Sequence, residues 1–101
     1  MKLKTGDRIY QYQTTYAKRL EKRVITSTGV SRAYAGTIEF EIDVGTSGAV
    51  IPCKNDPVWW IETDQLRDEY DRQILLNEWD KVNWSRVSTR KIRKIIEILE
   101  I

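Results

Sequence analysis

Residue types that carry catalysis are thin in this chain. It has no histidine and a single cysteine, Cys53. The commonest general base and the commonest metal ligand are therefore missing together, and a Cys/His zinc set cannot be assembled. Glu39, Glu41 and Asp43 alternate along one stretch and could in principle hold Mg²⁺ or act as paired acid and base. Such a site needs further ligands from a second element and a pocket, and no residues mark either. A solvated sheet face is the favoured reading of the three acids. No Walker loop, dinucleotide fingerprint or nucleophile elbow occurs. The sequence predicts a protein that is not an enzyme and takes no cofactor or metal.

Recognition chemistry is better represented. Tyr10, Tyr12, Tyr16 and Tyr34 stand near Lys18, Arg19, Lys22, Arg23 and Arg32. Aromatic platforms interleaved with cations suit single-stranded RNA or DNA, because bases stack and phosphates pair. The competing reading puts the tyrosines in the core and leaves the cations to solvate its rim. Arg90-Lys91 and Arg93-Lys94 have a spacing that can track a phosphate backbone, or simply decorate a helix. Charge is also segregated. Residues 1–32 hold eight Lys/Arg and two acids, a net of +6, whereas residues 33–64 hold one Lys and six acids, a net of −5. Two surfaces follow from this, a basic one and an acidic one that includes Glu39, Glu41 and Asp43, unless the two segments pair with each other across a sheet. Cys53 reads as a small buried hydrophobe, since Lys54 is its one basic neighbour.

Short strands must position these groups. Thr5-Gly6-Asp7 is a turn opening a β-prone run from Ile9 to Ala17, with Tyr10, Tyr12, Thr14 and Tyr16 on one face. Lys18–Arg23 is compatible with a hairpin or a helical turn, and Val30–Tyr34 reads as a strand before a bend at Gly36. Ile38, Phe40, Ile42 and Val44 alternate with the three acids, a period of two with one buried face. Ala49–Lys54 pairs back as a hairpin, with Pro52 favouring an edge. Val58–Ile61 closes the series, with Trp59 and Trp60 on opposite faces. This spacing favours a small antiparallel β-barrel of SH3 or OB type over residues 1–62.

Two helices follow over residues 63–101. Thr63 or Asp64 caps the first, which runs to about Asp80. Its stripe of Leu66, Tyr70 and Ile74 broadens at Leu75, Leu76 and Trp79, which predicts a helix sandwiched between the barrel and the final helix. Ser88 caps the second, Val87 and Ile92 have the spacing of a hydrophobic staple, and Ile92, Ile95, Ile96 and Leu99 form one apolar stripe. The expectation is a single α+β domain of 101 residues, the helical pair acting as a lid on the barrel. With 41% hydrophobic and 32% charged residues the composition is globular. No secretory leader or membrane span is expected, and the compartment implied by the lone cysteine is the cytoplasm.

Leu75-Leu76-Asn77, Val82-Asn83-Trp84-Ser85, Val87-Ser88-Thr89 and Ile92–Leu99 together resemble a pattern of small phage and prophage proteins. In those proteins the pattern follows a barrel opened by a motif similar to Lys4-Thr5-Gly6-Asp7-Arg8-Ile9-Tyr10. The resemblance touches both ends of the chain, and its motifs are structural. It implies a compact, non-catalytic protein that binds and obstructs a host machine, similar to anti-CRISPR proteins in size and in lacking enzymatic motifs. The expected partner is a host protein or ribonucleoprotein effector such as an RNA-guided defence nuclease, met through the acidic strand face or, on its guide, through the basic segment. A nucleic-acid-binding module using the Tyr/Lys/Arg set is the alternative. The sequence leaves the oligomeric state open.

Overall fold

The computed structural model describes residues 1–13 and 19–99. It is an α+β structure, two antiparallel sheets followed by two helices. The strands are β1 (Arg8–Gln13), β2 (Arg19–Val24), β3 (Ser27–Thr28), β4 (Arg32–Ala35), β5 (Ile38–Glu41), β6 (Ala49–Val50) and β7 (Trp59–Ile61). One sheet has the order β2-β1-β7-β6 and the other β3-β4-β5. The helices are α1 (Asp64–Asp80) and α2 (Thr89–Leu99), with a single 3-10 turn at Trp84–Arg86 between them.

Strand β1 is central to the larger sheet and is buried on both sides, since Ile9, Tyr10 and Gln11 are consecutive buried residues. Ile9 points into the main core with Leu3, Ile25, Ala33, Ala35, Phe40, Ile42, Val50 and Trp59. Phe40 and Trp59 meet there edge to face at 6.1 Å. Tyr10 points the other way, toward α1, and meets the Tyr70 ring edge-on at 5.6 Å. Trp59 and Trp60 divide as their alternation predicts, with Trp59 buried and Trp60 half-buried opposite Tyr10.

Two stretches pass from one sheet to the other. Between β2 and β3, the Ile25 N–H donates to the Asp7 carbonyl while the next N–H, of Thr26, donates to Tyr34. The Ala49–Lys54 run behaves similarly. Ala49 and Val50 pair with Trp60 and Trp59, after which Pro52 bridges Phe40. The expected hairpin with the Ile38–Val44 stretch is thus confined to residues 51–53, where the Glu41 and Cys53 N–H groups donate to the Ile51 and Glu39 carbonyls. Among the described residues these strands form two sheets and no closed barrel. Gly36 turns β4 into β5 with φ 63, a left-handed backbone that other residues adopt at a cost.

Both predicted caps form. The Leu66 N–H donates to Thr63 Oγ1 at 3.1 Å and the Lys91 N–H to Ser88 Oγ at 3.3 Å. The lid does not. Only the first half of α1 reaches the sheet, through Leu66, Glu69, Tyr70 and Gln73, the half-buried positions of the helix. Gln73 clamps the Leu20 backbone, its Oε1 accepting from the N–H at 2.8 Å and its Nε2 donating to the carbonyl at 3.1 Å. Beyond that point α1 overhangs the sheet, and Ile74, Leu75, Leu76 and Trp79 are exposed, so the expected sandwich is absent. No residue of α2 is buried, and its packing on any other described element is slighter than the short α1–β2 contact. The molecule is accordingly elongated, 58 × 24 × 21 Å.

Phe40 is fully buried at the junction of the two sheets. Phe40→Ala is expected to destabilise the fold by about 3–5 kcal/mol, the usual cost of an aromatic-sized void. Urea unfolding followed by Trp fluorescence measures it.

Candidate functional site

Strands β4 and β5 carry the acidic face. Period-two alternation turns Ala33, Ala35 and Phe40 inward, leaving Arg32 and Tyr34 on β4 to lie opposite Glu41 and Glu39 on β5. Tyr34 and Glu41 are exposed, and Glu39 is half-buried. Asp43 lies past the end of β5 and is exposed, its backbone opposite Lys2 in an isolated antiparallel bridge. Arg32 Nε approaches Glu39 Oε1 at 3.5 Å, so one cation sits inside the acidic patch and offsets part of it. Among the described residues no group of three or more His, Cys, Asp or Glu side chains could hold a metal ion, and these three acids do not converge. The face is suited to contact, with a tyrosine ring, two strand carboxylates and a third at the strand end.

The described members of the tyrosine–cation set are dispersed over different surfaces. Tyr10 is fully buried, so its ring cannot stack on a base. Its hydroxyl donates to Glu62 Oε1 at 2.8 Å, and Arg8 pairs with the other Glu62 oxygen at 3.2 Å. Tyr12, on the same side of β1, donates to Glu69 Oε2 on α1 at 2.7 Å. Lys22 lies above the Tyr70 ring, 5.4 Å from its centroid, on this helix-covered side. Arg23 projects from the other side of β2, where it pairs with Glu21 and sits 6.0 Å from the Trp59 ring centroid. Arg19 is exposed on that side at the start of β2. Arg32 and Tyr34 belong to the acidic face of the second sheet. Tyr16 and Lys18 lie outside the described residues.

One further expectation changes and one open alternative is met in part. Cys53 is exposed, because residues 51–53 run along the outer edge of β5 and its backbone satisfies Glu39 while the thiol faces outward. The basic and acidic segments do pair in part, through Arg8–Glu62 and Arg32–Glu39, and both pairs are too exposed to add much stability. Glu62, Glu69 and Gln73, which hold the tyrosines and β2, were missed from sequence. Leu66, Glu69, Tyr70 and Gln73 share one helical face by their spacing, but two of them are polar and read as solvent-facing.

Burial, followed by the hydrogen bond to Glu62, pushes the Tyr10 phenol up to about 12, and the bond to Glu69 raises that of Tyr12. Among the described residues no helix is long and apolar enough to cross a membrane. No family model matches the chain, and comparison with curated proteins and with solved structures likewise finds no similar protein.

Because Tyr10 holds its proton more tightly folded than unfolded, its contribution is constant below the ordinary tyrosine value near 10 and is lost as pH rises from there through about 12. Stability measured by urea unfolding across that window is expected to fall for the native chain. In Tyr10→Phe that part of the fall should vanish, and an unchanged slope would show that Tyr10 does not cause it.

Proposed function

We propose that this chain is a non-catalytic binding protein of phage type that inhibits a host defence nuclease by occupying a basic, nucleic-acid-binding surface of the effector. The docking face is the outer side of β4 and β5, with Glu39, Glu41 and Asp43 as its charge and Tyr34 as its anchor. The observation carrying this reading is the exposed strand pair itself, where period-two alternation sets acids and a tyrosine on a face that no described element covers. Acidic patches of this kind speed encounter with a cationic groove and compete with the phosphates it normally binds. Tyrosine adds a large amphipathic contact of the sort enriched at binding hot spots. Action in the cytoplasm of the host is part of the proposal.

The sheet-to-sheet passage at Ile25–Thr26 and the Phe40–Pro52 bridge support a strongly bent, partly open barrel of SH3 or OB type. Binding of single-stranded nucleic acid draws less support, since Tyr10 is buried and the other described members, Tyr12, Arg19, Lys22, Arg23, Arg32 and Tyr34, are spread over different faces.

Purified RNA-guided nucleases cleaving a plasmid target provide the test. Added at about equimolar amounts, the chain is expected to abolish cleavage by the sensitive effector, and inhibition should weaken with salt. A triple charge reversal, E39K/E41K/D43K, should weaken inhibition about tenfold or more while leaving the far-UV CD spectrum unchanged. Lack of inhibition across such effectors, or inhibition indifferent to the triple reversal, would refute the proposal.

A further inference from the structure

The helical end of the molecule poses a separate physical problem. α2 has 11 residues and at most slight packing on any other described element. Helices of that length are marginal in water when isolated. Arg90, Lys91, Arg93 and Lys94 crowd its first turns, against the preference of the helix dipole for anions there. Its apolar stripe, Ile92, Ile95, Ile96 and Leu99, is incompletely covered, with Ile96 at 44% and Leu99 at 53% exposure. An amphipathic helix in this state needs an apolar surface to lie on.

The chain carries one that fits. At 100° per residue, the side of α1 turned away from the sheet presents Leu75 and Trp79, with Asp71 and Glu78 beside them. Leu75 is 68% exposed and Trp79 43%. Ile74 and Leu76 widen this apolar surface where α1 overhangs the sheet. On α2, Lys91 and Arg93 flank the apolar stripe on its two sides by the same geometry. The helices are opposite in charge as wholes, α1 having six acids against two bases and α2 four bases against one acid. A stripe flanked by cations therefore meets a stripe whose Asp71/Glu78 edge is acidic and whose other edge carries Arg72.

We infer that two copies of this chain form a two-fold symmetric dimer in which α2 of each copy lies on the outer face of the other's α1. Both complementary surfaces reside on one chain, so a single symmetric contact satisfies both stripes and sets the acidic rim of each α1 against a cationic rim of the other copy's α2. Within one copy the Trp84 ring of the 3-10 turn meets Trp79 at the end of α1 at a tilt, centroids 4.6 Å apart, and α1 and α2 pack on each other only slightly if at all. The dimer is independent of the acidic sheet face and stands or falls separately from the nuclease reading.

Sedimentation velocity on the full chain tests this. The native chain is expected to dimerise, more weakly as salt rises. A copy carrying D71K/E78K and a second carrying K91E/R93E should each dimerise about tenfold or more weakly. Mixing the two should restore the dimer, because opposite charges then face each other only between copies. L75S reads the same contact without altering charge and should also weaken it. Three results would overturn the inference. One is a native chain that stays monomeric at its highest soluble concentration, as it would if α2 folded back on its own α1. The others are a dimer indifferent to both reversals and to L75S, and reversed copies that fail to recombine.

Discussion

The double burial of β1 is the constraint on which the rest of the structure depends. Ile9 and Tyr10 are adjacent, fully buried and opposite in direction, so both sides of this strand must be covered. The second sheet covers the Ile9 side and builds the core around Phe40 and Trp59. The first half of α1 covers the Tyr10 side, and the manner of covering is chemically specific. Tyr70 meets the Tyr10 ring, Glu69 takes the Tyr12 hydroxyl, and Gln73 satisfies both backbone groups of Leu20. A buried phenol needs an acceptor, and Glu62 supplies it from the end of β7. Once that sheet face is covered, the remaining length of α1 has no described strand beneath it.

That geometry separates the chain into two kinds of surface. β4 and β5 have one side in the core and one in solvent, so their acids and Tyr34 are displayed on a rigid support. Past Gln73, α1 projects beyond the described strands, and α2 continues as an amphipathic helix with at most slight packing on any other described element. Rigid display suits recognition of a preformed partner, because little ordering entropy is lost on binding. A marginal helix suits coupled folding and association, in which order is acquired with the partner.

What the sequence disclosed was mainly local. Thr63 and Ser88 announced their helices because capping depends on residues three positions apart. Ile38, Phe40 and their alternating acids announced the outer face because sidedness in a strand follows from period two alone. The assignment of Trp59 and Trp60 to opposite sides came from the same rule. What failed depended on distant partners. Tyr10 reaches Glu62 and Leu20 reaches Gln73 across more than fifty residues, so nothing local distinguished a buried tyrosine from a stacking platform. The breadth of apolar residues at Ile74–Trp79 suggested a helix covered on several sides. In the folded chain it marks the point where α1 leaves the sheet. Cys53 looked buried by type and is exposed because its stretch forms an outer edge. The candidate face was therefore legible as a set of acids on a strand, while the dispersal of the tyrosines and cations was not.

Hydrogen exchange at two protein concentrations tests most directly the claim that the body is self-sufficient and the distal helix is not. Amides of β1 and of α1 up to Gln73 should be strongly protected, and to the same degree, at both concentrations. Those of α2 should exchange rapidly in dilute solution and slow as concentration rises. Protection of α2 equal to that of β1 at the lowest concentration would contradict the account, because the helix would then have its partner within a single copy.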